Sequence, residues 1–309
     1  MPPSPMDAAS ARVVDPILST IIQGYRHPER IGHTLFPAVP VNQRGGRYIT
    51  FGKESFKLHD IRRAPGAATK SVEHGYGSNP YGLVQDAIEG KVPREIQEEA
   101  AAVPGIDMGK LAVQEVGDII TLRLEYDQAT LARDPANYDS DHKIDLAAAK
   151  WTGANDPVAD INAGRTAIRE SVGIYPNTLV LSAAAFEAAC NNAKVLERFK
   201  YTTNAVVTEP MLAAIFKVDR VVVGKAIAFD DAGATIDIWG TDAVLAYVPT
   251  TIGSIQQPSF GYTYTLRNHP LVERPYWNNN TKSWHYPVTY ERQPLMTGML
   301  SGYLLRNLA

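Results

Sequence analysis

Apolar residues recur three and four apart between Asp107 and Arg133, in DMGKLAVQEVGDIITLRLEYDQATLAR. Met108, Ala112, Val116, Ile119, Leu122, Tyr126 and Ala129 fall on one stripe. Val113, Ile120, Leu124 and Leu131 fall on a second, roughly 140° round at about 100° per residue. The pattern predicts a helix about 40 Å long, at about 1.5 Å per residue, that packs on two sides. Such a helix is a spine and not a surface element. Ile119 is expected on its buried face between Val116 and Leu122.

Downstream, Asp156 is placed as an N-cap, Pro157 as the first helical residue, and Val158, Ile161, Ile168 and Val172 at helical spacing before the stop at Gly173. GIYPNTLVLSAAAFEAA follows, with a turn at Pro176 and Asn177, a short apolar strand, and Ser182 opening a helix that runs to Cys190. Thr208 is placed to cap a helix through Phe216. VDRVVVG (218–224) and 243–248 are expected as buried strands, and FGYTYTLR, SWHYPVTY and LMTGMLSGYLL return to strand patterning near the end. Before the spine, residues 1–45 hold an opening helix near Val14–Gln23 and a stretch broken by Pro28, Pro37, Pro40 and a Gly pair, without a core of its own; this reads as an arm lying on something. Strand-like alternation in RYITFGKESFKLHDIRR then gives way to the irregular APGAATKSVEHGYGSNPYG, a length that suits a segment reaching over a neighbouring molecule.

Composition adds bounds. The chain has 309 residues, 45% apolar and 20% charged, which suits one large core or two modest ones. A formal net charge of −3 is unlike that of a dedicated nucleic-acid binder. One cysteine, Cys190, excludes an intramolecular disulfide framework and a thiolate metal cluster, and its place beside Phe186 suits packing. The longest apolar runs are far below the roughly 18 residues of a membrane span. Charge is distributed unevenly, however. Between Asn42 and Gly75 seven basic residues (Arg44, Arg47, Lys53, Lys57, Arg62, Arg63, Lys70) face three acidic ones, net +4. Between Asp86 and Asp118 eight acidic residues, among them Glu89, Glu95, Glu98 and Glu99, face three basic ones, net −5. Two readings stand: both stretches are solvated faces, or the basic stretch of one subunit lies across the acidic approach to the spine of the next.

Candidate chemistry is sparse. Ser182 ends a strand as a nucleophile would, but it lacks the flanking glycines of a nucleophile elbow and reads as a helix cap. GGRYITFGKES resembles a phosphate loop, yet five residues separate Gly46 from Gly52 and Glu54 stands where Ser or Thr would bind magnesium. Asn137, Asp139 and Asp141 alternate as in a calcium loop, but His142 takes the turn position that demands Gly. The seven histidines show no ligand spacing, and no Gly-rich fingerprint follows a strand. No catalytic, cofactor-binding or metal-binding residue is assigned, and no cofactor is expected.

The segment DPVADINAGRTAIRESVGIYPNTLVLSAAAFEAACNNAKVLERFKYTTNAVVTEPMLAAIFKVDRVVVGKA resembles the central region of the major capsid proteins of tailed double-stranded DNA bacteriophages. The order around it agrees: an arm with TLFPAVPV, a loop with RAPGAATKS, the spine, this segment, then GTDAVLAYVP and the terminal strands. The resemblance implies an α+β capsid fold: an N-terminal arm (1–40), an extended β-loop (41–80), a peripheral domain with the spine helix (81–155 and 255–292, helix 107–133) and an axial domain (156–254 and 293–309). It also implies a non-enzymatic shell subunit that assembles with many copies of itself, as hexamers and pentamers, into an icosahedral head around double-stranded DNA contacted non-specifically. Its implied partners are a separate scaffolding protein, a portal and a cementing or decoration protein, with no membrane. The implied location is the virion capsid, after synthesis in the host cytoplasm. An encapsulin-like nanocompartment shell shares the fold, and an α/β nucleotide-binding enzyme is the alternative from another class.

Overall fold

The computed structural model describes residues 14–25, 27–50, 77–101, 103, 105–200, 206–230, 232–250 and 259–309. In chain order, α1 (Pro16–Gly24) and β1 (Ala38–Val41) are followed by a hairpin stem, β2 (Gly45–Thr50) and β3 (Gly77–Gly82). Next come β4 (Val84–Pro93), the short α2 (Arg94–Ala101) and the spine α3 (Met108–Arg133). β5 (Lys143–Asp145), α4 (Pro157–Val172), β6 (Thr178–Ser182), α5 (Ala183–Asn191), α6 (Ala193–Phe199), α7 (Glu209–Phe216) and β7 (Arg220–Gly224) follow. A small hairpin, β8 (Ile227–Phe229) with β9 (Thr235–Asp237), precedes β10 (Ala243–Ala246). The chain closes with β11 (Gly261–Leu266), β12 (Leu271–Val272), β13 (Tyr276–Asn278), the long β14 (Ser283–Met296) and β15 (Gly302–Arg306).

Two sheets organise these elements. The first has five strands in the order β5-β15-β10-β6-β7. It is buried on both faces, which is why its strands read as unbroken apolar runs. Leu179, Leu181, Val221, Leu245 and Leu305 face a core made with α4, α5 and α7, whereas the alternate residues Val180, Val244, Ala246 and Leu304 face Ala129 and Ala132 of the spine. The second sheet is built on β14, which pairs with β4 along one side and with β11, β12 and β13 along the other. Val113, Val116 and Ile120 of the spine pack on Val272 and Val288 of this sheet and on Ile22 of α1. The spine therefore spans both sheets, its first half on one and its last turns on the other.

Local signals formed as the residues dictate. Asp107 and Asp156 cap their helices through Oδ1, Pro157 opens α4, and Gly173 closes it at φ 74°. Other expectations need correction. Ile119 is 47% exposed and Tyr126 is 40% exposed, although Ala112, Val116 and Ala129 of the same stripe are buried. The buried residues are Gly109, Ala112, Val113, Val116, Gly117, Ile120, Glu125, Gln128, Ala129 and Ala132, drawn from both stripes and from between them. The buried face thus shifts around the helix from its first half to its last turns, and small and polar residues fill part of it. The final strand pattern is also broken, because a 3-10 turn at Met299–Ser301 transfers the chain from β14 to β15, one sheet to the other. Residues 143–151, grouped by sequence with the spine, pair with β15 and put Leu146 and Trp151 into the core of the five-stranded sheet. The arm is not coreless: Leu35 and Phe36 are fully buried beside the spine, and β1 pairs in parallel with β11.

Where arm, spine and five-stranded sheet meet, Glu125 lies 2% exposed. Its carboxylate accepts hydrogen bonds from the backbone of Ile31 (3.2 Å) and Gly32 (2.7 Å) and from Trp239 Nε1 (2.7 Å). Gly32 has no alternative, since a Cβ there would strike the side chains of Gln128 and Glu125. Two turns on, Arg133 donates to Asp242 Oδ2 (2.8 Å) and to the carbonyl of Ile238 (2.9 Å), tying the spine to the loop before β10.

Removing the Glu125 acceptor strands three donors, so Glu125→Ala should lower the unfolding free energy of the purified subunit by about 3 kcal/mol or more in denaturant titration. Ile119→Asp, at an exposed position, should change it by less than about 1 kcal/mol; a reversed ranking would refute this placement of the spine. The pH response has a definite sign as well. Burial raises the Glu125 carboxyl above its ordinary value, against the opposing hydrogen bonds from Gly32, Trp239 and Ile31. Its folded form thus holds the proton more tightly than its unfolded form, and stability from this group is full below the ordinary carboxyl value and is lost as pH rises through the folded value. Relative to Glu125→Gln, which does not titrate, the wild-type chain should gain stability as pH falls through that window. A constant gap between the two would contradict it.

Candidate functional site

The turn that most resembles a place for chemistry is structural. Ser182 is 1% exposed, and its Oγ accepts from the Ala185 backbone at 3.2 Å, the geometry of an N-cap. Asp139, in the stretch that resembles a calcium loop, is occupied by its own neighbours, taking His142 Nδ1 at 2.6 Å and the Asp141 backbone at 3.2 Å. Gly45 to Thr50, the first half of the phosphate-loop lookalike, is one strand of a hairpin and not a loop entering a helix. Burial, and after it the charge of Glu187, raises the Cys190 thiol above its ordinary value, which leaves little reactive thiolate. Among the described residues no three His, Cys, Asp or Glu side chains converge to hold a metal ion.

The oppositely charged stretches occupy more telling places. β2 and β3 form the stem of a hairpin that leaves the body beside β11 and β14, and 51–76 lie beyond it. The stem is anchored twice. Arg44, just before it, forms a two-pronged ion pair with the buried Glu291 of β14 (2.6 and 2.9 Å). The hydrogen bond from Arg44 holds the Glu291 carboxyl below its ordinary value. Above that pair, Tyr81 stacks on Tyr264 at 4.9 Å between ring centres, with Tyr48 and Tyr262 each 6.4 Å from Tyr264. Burial pushes the Tyr264 hydroxyl up to about 12, and that oxygen has no hydrogen-bond partner among the described residues. Arg47, exposed on β2, donates to the Ser78 carbonyl across the stem at 2.9 Å. Lys53, Lys57, Arg62, Arg63 and Lys70 lie outside the described residues.

The acidic residues sit at the other end of β4. Glu89 is engaged within its own chain: it takes His285 Nδ1 at 2.8 Å and the Tyr276 hydroxyl at 2.9 Å. Desolvation opposes ionisation of Glu89, but those two hydrogen bonds together outweigh it and lower its carboxyl pKa. Glu95, Glu98 and Glu99 lie on α2, which has no buried residue and leaves Ile96 45% exposed. Arg94 contacts Glu95 at 3.8 Å and Glu98 at 3.5 Å, exposed pairs of little energetic weight. The sequence-predicted set is therefore split. Arg44 and Glu89 are satisfied internally, whereas α2 presents its carboxylates outward. Sequence reasoning missed Glu291, the tyrosine group and Glu125. Glu125 stands eight residues, about two turns, beyond Gly117 and on neither apolar stripe, so the hydropathy pattern did not mark it as buried.

Comparison with known proteins follows from this arrangement. The model of the family described as phage major capsid protein E matches residues 137–257. The chain is 35% identical over 302 residues to the major capsid protein of Burkholderia phage BcepMu, covering 95% of this chain and 96% of that one. It superposes on a phage-related protein from Bordetella bronchiseptica RB50 with a TM-score of 0.83 at 46% identity, over 96% of this chain and 98% of the other. An encapsulin from Synechococcus elongatus PCC 7942 shares the fold alone, at a TM-score of 0.57 and 11% identity over 91% and 88% of the two chains. A helix bridging two sheets, a doubly anchored hairpin stem and similarity along nearly its whole length place this chain in the family of phage major capsid proteins.

Proposed function

We propose that the chain is the repeating subunit of a closed icosahedral head, arranged in rings of six and five around double-stranded DNA. The body holding the five-stranded sheet serves as the axial domain, and the body on β14 with the first half of the spine serves as the peripheral domain. The observation that carries the reading is the hairpin stem. Its root is fixed by an ion pair to a buried carboxylate and by stacked aromatic rings, an investment in direction that a free loop does not need and a segment reaching another subunit does. The basic residues Arg47, Lys53, Lys57, Arg62, Arg63 and Lys70 then meet carboxylates of a neighbour, and Glu95, Glu98 and Glu99 on α2 are the exposed candidates. Each pair contributes about 0 to 1 kcal/mol, but the contact repeats at every interface and steers docking. Synthesis in the host cytoplasm, a separate scaffolding protein, a portal and a cementing protein complete the proposed assembly. No catalytic step is assigned to the chain.

Negative-stain microscopy of the purified protein tests the class, with closed shells, rings or sheets as the expected images and a dispersed monomer at all concentrations as the refuting one. Shells recovered from cells with nuclease-protected DNA support the head, and shells filled with protein cargo would favour a nanocompartment. For the charge contact, Arg62→Glu with Arg63→Glu should leave the subunit folded yet block assembly at low salt. Adding Glu98→Lys and Glu99→Lys to the same chain should partly restore it. Normal assembly of the double loop variant at low ionic strength, where screening is weakest, would remove the contact from consideration.

A further inference from the structure

The β8–β9 hairpin carries two exposed apolar side chains on the five-stranded body. Phe229 is 69% exposed and Ile227 48%. Ile227 pairs with Asp237 and Phe229 with Thr235, so both apolar side chains stand on the same face. Two strands of three residues do not hold themselves together in water. Here the turn is tied at its base: Asp230 Oδ1 accepts from the backbone of Ala232 (3.0 Å) and Ala234 (2.7 Å), and Asp230 donates its own backbone N–H to Ala234. The result is a preorganised knob with a bare aromatic ring and two flanking acids, Asp230 and Asp237.

A matching socket exists on another face of the same chain. Between α1, the arm and the spine lies a cleft of about 630 Å³ whose walls include Ile22, Leu124, Pro270 and Tyr290. Its volume and apolar lining are those of a site that takes one large side chain with its neighbours. The arm contributes basic groups, His27 and Arg30, to its edge. Arg30 Nε has no hydrogen-bond partner among the described residues; the Arg30 charge acts on Glu125, whose carboxylate oxygens are taken by Ile31, Gly32 and Trp239. An apolar knob with acidic flanks thus faces an apolar socket with a basic edge.

We infer that the β8–β9 hairpin of one copy seats Phe229 in the arm–spine cleft of the next copy, with Asp237 directed toward Arg30. The exposure of Phe229 shows that it does not occupy its own cleft, so the contact joins different surfaces of two copies and propagates head to tail, closing into rings where the rotation allows. This contact rests on the shell reading above and adds a second, mainly apolar link to the charge contact of the extended loop.

Cysteine cross-linking tests it. In a Cys190→Ser background, which removes the single native thiol, Phe229→Cys and Leu124→Cys together should give a ladder of disulfide-linked multimers when assembled particles are oxidised with copper phenanthroline. Either cysteine alone should give none. Particles that form from the double-cysteine chain but run as monomers after oxidation overturn the contact. Should that chain not assemble, Phe229→Asp decides: particle yield should fall about tenfold or more with an unchanged melting temperature, while Phe229→Leu stays near wild type. Wild-type yield from Phe229→Asp overturns the contact equally. A wild-type chain that forms no particles at all sinks the shell reading, and this contact with it, whereas particles lacking the ladder sink this contact alone.

Discussion

The burial of the Glu125 carboxyl is the constraint on which the rest of the subunit depends. A spine that packs on two sheets needs a point at which its register against both is fixed, and apolar contact is too tolerant of sliding to supply one. A carboxylate held by three donors from two other segments does supply it, because any shift of the spine leaves charge or donors unpaired in a dry interior. The same logic explains the residues nearby. Gly32 lets the arm backbone approach closely enough to donate, Gln128 reaches Thr263 Oγ1 at 2.9 Å to fix β11, and Arg133 locks the loop before β10.

What was legible in the sequence is what is decided locally. Asp156, Pro157 and Gly173 punctuate α4 through bonds within a few residues, and Ser182 caps α5 three residues away. The buried strands β6, β7 and β10 announced themselves as apolar runs because both of their faces are covered. The spine was legible as a helix but not in its rotation. Ile119 and Tyr126 are more apolar than Gly117 and Gln128, yet the latter face inward, because Ile22 and Tyr25 of the arm side pack over Gly117 and β11 offers a hydroxyl to an amide. Such choices belong to partners about ninety or more residues away, and hydropathy along the chain does not record them.

The charged stretches follow the same division. Their existence was countable, but which members remain available was not. Arg44 belongs to Glu291 and Glu89 to His285, each a partner 196 or more positions away in the chain. The internally satisfied members are those nearest the body, at the root of the hairpin and along β4. Those on α2 stay outward because that helix packs nothing beneath it. Charge near the root thus fixes the stem within the subunit, and the carboxylates of α2 stay exposed.

A shell made of many copies places opposing demands on one chain, and the distribution of interactions reflects how they are reconciled. The subunit must keep its shape before it meets a neighbour, which favours strong, buried and geometrically strict bonds inside, such as those around Glu125 and Arg133. Contacts between copies must be weak enough to separate when misplaced, since a closed surface admits few errors and each contact is repeated throughout it. Exposed pairs of about 0 to 1 kcal/mol, felt over a screening length of about 8 Å at physiological salt, meet that demand. The inferred seating of Phe229 in a neighbour's cleft would meet it in another way, by adding specificity of shape without a large interface. Strength held inside the chain and weakness held between chains are therefore two consequences of one requirement, that a rigid part be fitted reversibly many times.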